Sequence, residues 1–254
     1  MSQTNHKKTK PKKFSQKYNM TTFRKLLVSA LTLVASSVLI QQVAAQRGGG
    51  VAGSSAASNT LKPVTSATKS PSADGFLQRW LLLAPINIDN QQAEGPSKAA
   101  VKVEYFPNQL TIMPHDGEKV TAKGQELAWR ALDTTLYNVN LYHFAALENK
   151  SASGAMFWAV TIVNCSEDMP NVRLAIGSNA SSVWWVNGQE VAAVYGDRQT
   201  VIDDGVSKRL TLKKGPNVVR GVVINGSGAT DFCARFIDAN DKPIKNLTLS
   251  LETH

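Results

Sequence analysis

Residues 182–194 read S-V-W-W-V-N-G-Q-E-V-A-A-V, two short apolar runs on either side of Asn187-Gly188. Asn-Gly between alternating hydrophobics predicts a two-residue hairpin, because both residues accept the positive φ of a type I′ turn. The period of two then places Val183 and Trp185 on one face of the ribbon and Trp184 and Val186 on the other. One of the adjacent indoles therefore belongs to a core, and the other points outward or lies under a second layer. A lone ribbon is barely stable in water, so this one must belong to a larger sheet.

The rest of the chain supplies strands for that sheet. Residues 76–84 (F-L-Q-R-W-L-L-L-A) end at Pro85 and predict an opening strand. Residues 101–106 alternate V-K-V-E-Y-F and stop at Pro107, 127–132 carry Trp129, and 136–147 form a long mixed run. Residues 156–163 (M-F-W-A-V-T-I-V) are continuously apolar, as a central strand covered on both faces is expected to be. Further runs at 172–176, 208–212, 218–225, 231–238 and 247–251 follow, with K-K-G-P-N at 213–217 reading as a turn. The total is roughly ten to twelve short strands at about 8–15-residue spacing, the signature of an all-β antiparallel sandwich or jelly roll. No sustained 3.6-residue period with caps and no internal repeat is present, which disfavours helical, propeller and solenoid architectures.

Composition changes the picture at the N-terminus. Arg24 and Lys25, the apolar run 26–40 and Val43-Ala44-Ala45 follow the order of a secretory signal, preceded by a basic extension from Lys7 to Lys17. The apolar run is 15 residues long, shorter than the ~20 needed to span a bilayer, so no stable transmembrane helix is expected in the mature chain. Residues 46–74 are rich in Gly, Ser, Ala, Thr and Pro and read as a disordered tether. The expected organisation is thus a signal peptide over 1–45, a linker over 46–74 and a β domain over 75–254, with the product secreted, periplasmic or at the cell surface.

The formal charge of +9 comes mostly from the leader. Residues 1–45 hold 8 of the 28 Lys and Arg and none of the 19 Asp and Glu, leaving 20 minus 19, or +1. A near-neutral domain lacks the basic surface that nucleic-acid binding requires, so no nucleic-acid partner is expected.

Catalytic signatures are sparse. There is no G-x-S-x-G elbow, H-E-x-x-H, C-x-x-C or EF-hand loop, and no Gly-rich phosphate loop joins a strand to a helix. Outside the leader the histidines are His115, His143 and His254. A hydrolase reading would draw on His143 with Asp133 or Asp231, and on Ser178 or Ser227 as nucleophile. Structural calcium has candidate ligands in Asp203, Asp204 and Asp231, since carbonyl-rich calcium sites leave little sequence trace; no other cofactor is expected. Cys165 and Cys233 lie in strand-like runs and read equally as a disulfide or as two buried thiols.

The remaining resource is aromatic: Trp80, Trp129, Trp158, Trp184 and Trp185, with Trp158 read as core. Indole faces stack on sugar C–H faces, and neighbouring Asn, Arg and Asp bond hydroxyls. The hairpin W-W-V-N-G-Q-E-V, the turn and strand L-K-K-G-P-N-V-V and the opening R-W-L-L-L-A-P resemble the galactose-binding-like β-jelly-roll modules attached to secreted bacterial glycoside hydrolases and acetylxylan-esterase-like proteins. That resemblance covers about residues 76–238 and implies a non-catalytic carbohydrate-binding module acting on or near polysaccharides, with a poly- or oligosaccharide ligand and a catalytic protein as candidate partner. Ala84 and Ile86 depart from the Gly and Phe of the family's opening motif. The candidate ligand contacts are Trp184, Trp185, Trp129, Tyr142, His143, Asn187 and Arg235. The alternatives are an accessory esterase or glycosidase of polysaccharide breakdown and an envelope protein that docks a partner through one sheet face.

Overall fold

The computed structural model describes residues 60–89 and 93–252. The expected signal peptide, and the linker as far as residue 59, lie outside the described residues. Fifteen strands and two short helices make up the described part, and every strand pairing is antiparallel. No helix among the described residues is long and apolar enough to cross a membrane.

The larger sheet runs β1 (Leu61–Pro63), β5 (Gln125–Thr134), β2 (Arg79–Leu83), β7 (Ala155–Cys165), β13 (Gly215–Asn225), β9 (Ser181–Val186), β10 (Gln189–Val194). Three further strands, β3 (Ile86–Asn87), β4 (Lys119–Ala122) and β15 (Leu247–Ser250), pair with β7, β5 and β7 respectively. The smaller sheet runs β11 (Gly205–Val206), β8 (Met169–Ser178), β14 (Asp231–Ile237), β6 (Val139–Asn140), with β12 (Leu210–Leu212) also on β8. The expected hairpin forms at β9–β10, with Asn187 at φ 51° and Gly188 at φ 79°. A second tight turn, Lys123-Gly124, joins β4 to β5 with φ of 48° and 74°.

The two sheets pack face to face. Trp80, Leu82, Phe157, Val163, Trp184 and Val223 of the larger sheet meet Leu174, Ile176, Phe232 and Phe236 of the smaller one. The outer face of the larger sheet carries a second core: Leu81, Leu83, Trp129, Trp158, Val160, Val183, Trp185 and Val222. Helix α1 (Glu94–Val101) and the segment 102–118 cover it, with Phe106, Tyr105 and Ile112 packed down. Cover on both sides explains why 156–163 shows no polar alternation, since neither face of β7 meets water.

Three sequence expectations are corrected. Residues 101–106 are not a strand: α1 ends at Val101 and the chain continues in turns. Pro96 fits α1 because it lies in the first turn, where no intrahelical N–H bond is needed. Residues 136–147 hold only the two-residue β6 before helix α2 (Leu141–Leu147), which Asn140 caps by accepting from the His143 N–H at 2.9 Å. The linker does not extend to residue 74. Leu61 to Pro63 pair with Thr134 to Leu132, and Lys69 bridges to Leu249, so 60–74 belongs to the sandwich despite its polar composition.

Candidate functional site

The five indoles divide between the two cores. Trp80, Trp184 and Phe232 interlock edge-to-face between the sheets, with ring centroids 5.1–5.9 Å apart. Trp80 Nε1 donates to the Leu77 carbonyl at 2.7 Å, and Trp184 Nε1 to Ser182 Oγ at 3.0 Å. Trp129 and Trp158 lie beneath Phe106, at 6.3 and 5.9 Å between centroids. None of these four exceeds 1% exposure. Trp184 and Trp129 therefore fill space between layers and do not present a face to a ligand, because both sides of the larger sheet are covered.

Trp185 differs. Alternation turns it to the outer face of the larger sheet, where it stacks on Trp158 at 5.9 Å and 21° and keeps 7% exposure. It borders a cleft of about 490 Å³ between that face and the covering segment, together with Lys102, Asn108, Leu110, Thr111 and Glu190. The covering wall is held by its own side chains. Gln109 donates Nε2 to the Val103 carbonyl at 2.7 Å and accepts the Tyr105 N–H at 2.9 Å; Glu104 accepts the Asn108 N–H at 3.0 Å. Asn108 adopts φ 59°, a conformation Asn tolerates, and so closes this small loop. An indole on the sheet side and a leucine on the covering segment, with amide, hydroxyl and charged groups around them, is the apolar-with-few-polar-groups composition of a small-molecule site. Sequence reasoning missed Lys102 because 101–106 alternates like a strand, and it passed over Asn108 and Thr111 after Pro107; the turn dipeptide Pro107-Asn108 was the available signal.

Beside Trp185, in register on β13, stands Arg220, 3% exposed. Its Nη2 donates to the Ile112 carbonyl, and its Nη1 is buried without a hydrogen-bond partner. Burial pushes the guanidinium down to about 10.

The other sequence candidates do not join this cleft. Asn187 is structural: its Oδ1 accepts the Val218 N–H at 2.8 Å and its Nδ2 donates to Asn217 Oδ1 at 2.9 Å. Arg235 pairs with Asp203, donates to the Asp74 carbonyl at 3.0 Å and lies 4.9 Å over the Phe76 ring. Its pairing with Asp203 holds the guanidinium above its ordinary range. Asp204 pairs with Arg198, and Asp231 accepts from Asn138 and Thr200. The three carboxylates read as calcium ligands are thus each engaged by the chain's own donors, and among the described residues no three His, Cys, Asp or Glu gather as a metal-ligand group.

Tyr142 is 54% exposed on α2, and His143 Nδ1 lies 3.4 Å from Thr60 Oγ1. Asp133 is held by Arg79 at 2.9 Å and Lys69 at 3.4 Å, Ser178 is sealed in the core, and Ser227 is exposed in a loop. No Ser–His–carboxylate relay is assembled from these groups. Cys165 and Cys233 are free, which decides between the two readings left open by the sequence. Burial raises both thiols, Cys233 to about 12.

No family model matches the chain, and no curated protein matches it. Among solved structures it is similar to the PA14 domain of MpAFP antifreeze protein (TM-score 0.42, 9% identity, covering 74% of this chain and 95% of that one). It is also similar to the PA14 sugar-binding domain from an RTX adhesin (TM-score 0.38, 12% identity, 67% and 96% covered). A third likeness is the GH31 α-xylosidase from Xanthomonas citri (TM-score 0.30, 11% identity, 76% of this chain and 17% of that one). These likenesses are too loose to carry residue roles or ligand chemistry across to this chain.

Proposed function

We propose that the chain is an exported, non-catalytic saccharide-binding protein of galactose-binding-like jelly-roll type, and that the sugar lies in the Trp185 cleft. The observation that carries this reading is the placement of Trp185. It is the only one of the five indoles above 1% exposure, and it borders a 490 Å³ cleft rimmed by Asn108, Thr111, Lys102 and Glu190. A pyranose offers C–H faces to the indole and hydroxyls to the rim, which matches this division of apolar and polar surface. Stacking on Trp158 holds the Trp185 ring in place before any ligand arrives, which lowers the ordering cost of binding. Export draws its support from the signal-like order of the first 45 residues, and a binding role from the dispersal of the histidines, serines and carboxylates described above.

The test is calorimetric titration of the full chain with a panel of neutral and acidic soluble oligosaccharides. Binding in the micromolar to millimolar range is expected for at least one. Asn108→Gly, which keeps the positive φ, and Thr111→Ala, both at exposed positions, are expected to weaken it by about 2- to 10-fold each, the worth of one net hydrogen bond. Absence of binding across the panel, or full affinity in both variants, overturns the assignment to this cleft.

A further inference from the structure

Arg220 has an unfilled requirement. A guanidinium carries five N–H donors and a charge that cannot be shed near neutral pH. This one is 3% exposed, and its one named partner is a neutral carbonyl, that of Ile112. Among the described residues no carboxylate pairs with it; the charged contacts of Arg79, Arg173, Arg198 and Arg235 show the usual arrangement in this fold. A buried cation without a counter-ion destabilises a fold, and an anion that reached it would relieve that cost. Burial alone accounts for its depressed affinity for the proton, with no opposing carboxylate to hold it up.

The location says where that anion would come from. Arg220 shares a row of the larger sheet with Trp185, and Ile112 follows Thr111, which lines the cleft. The guanidinium thus lies behind the wall of the cleft, one residue from its lining. We infer that the Trp185 cleft takes a carboxylated sugar, a uronic acid residue of an acidic polysaccharide, with its ring on the indole of Trp185 and its carboxylate on Arg220. This rests on the saccharide reading of the cleft and narrows it.

Nη1 is sealed in the structure, so the carboxylate replaces the Ile112 carbonyl and the covering segment yields. Gln109 and Glu104 close 103–109 on themselves, so the backbone around Phe106 can shift without losing its own bonds, while Phe106 stays seated on Trp129 and Trp158 and Val103 and Leu110 lie at the surface. Lys102 at the mouth adds a second positive charge, opposed there by Glu104 and Glu190. Recognition therefore depends on the fixed, planar guanidinium, which matches a carboxylate with two parallel donors.

The experiment titrates the full chain with trigalacturonate, with its carboxyl-reduced neutral counterpart, and with inorganic phosphate. The acidic trisaccharide is expected to bind roughly tenfold or more tightly than the neutral one, the worth of one charged hydrogen bond. Phosphate is expected not to compete at millimolar concentration. Arg220→Met, which keeps the buried volume without the charge, is expected to bring the acid-to-neutral ratio close to one. Equal affinity of the two sugars in the unaltered chain overturns the carboxylate inference and leaves the saccharide reading standing. No binding of either, with no other sugar bound, brings down both. Phosphate competing as well as the uronate makes the site a plain anion site and overturns the sugar-acid assignment. Should Arg220→Met fail to fold, the comparison on the unaltered chain decides the matter alone.

Discussion

At the residue scale, two side chains show how single positions hold the sandwich. Asn217 is fully buried at the start of β13. Its amide donates to the Lys213 and Gly215 carbonyls at 2.7 and 3.1 Å, and its carbonyl oxygen accepts from Lys213 N and Asn187 Nδ2 at 2.9 Å each. Asn217→Ala leaves several of these groups unpaired in the interior, so a loss of about 3 kcal/mol is expected in urea unfolding, against ~0.5 for a surface change. Gly221 makes the opposite point. A Cβ there would lie 2.5 Å from the Trp184 ring, which Trp80 and Phe232 pin from two sides. Gly221→Ala should therefore cost about 1–3 kcal/mol by overpacking, read as a fall in the denaturation midpoint. No change in stability would mean that the indole can swing away.

At the element scale, the covering segment governs access to Trp185, and α2 is set by its cap. Gln109→Ala removes two of the three side-chain bonds that close 103–109, leaving the Glu104–Asn108 bond and the sandwich beneath in place. Iodide quenching of tryptophan emission is expected to rise by the share of one indole in five, with the unfolding midpoint little moved. Quenching that stays at the unaltered level would show that the wall is held by packing alone. For α2, Asn140→Ala takes away the acceptor of the His143 N–H, and about 1 kcal/mol of stability should go with it, measured by the same urea titration.

At the scale of the whole molecule, the two sheets bury both cysteines in different strands, β7 and β14, and leave them reduced. Burial keeps the Cys233 thiol neutral up to about 12 and raises Cys165 in the same direction, and the thiolate is the reactive species. Native protein at pH 8 is therefore expected to react with no equivalents of a disulfide reagent over minutes, and with two after unfolding. Rapid native labelling would mean that the sandwich opens far more readily than its packing implies. Reducing agent is expected to leave the thermal midpoint unchanged, since no crosslink contributes to it.

The sequence by itself determined the strand-rich antiparallel class, the Asn187-Gly188 hairpin, the double cover of β7 and the opposed faces of Trp184 and Trp185. Each is written in local spacing: a period of two, a dipeptide that accepts positive φ, an apolar run without gaps. Only the tertiary structure decided that residues 60–74 join the sheet, that 101–106 turns over its outer face, and that four of the seven candidate contacts, Trp184, Trp129, Asn187 and Arg235, are buried or engaged in holding the fold. Those outcomes depend on partners far along the chain, as with Leu61 on Thr134 or Arg220 on Ile112, and no local pattern encodes a distant partner. The cleft itself is such an outcome: the sequence showed that one of Trp184 and Trp185 faces away from the core between the sheets, but which one, and the wall that makes it a site, follow only from the fold bringing 102–112 across Trp185.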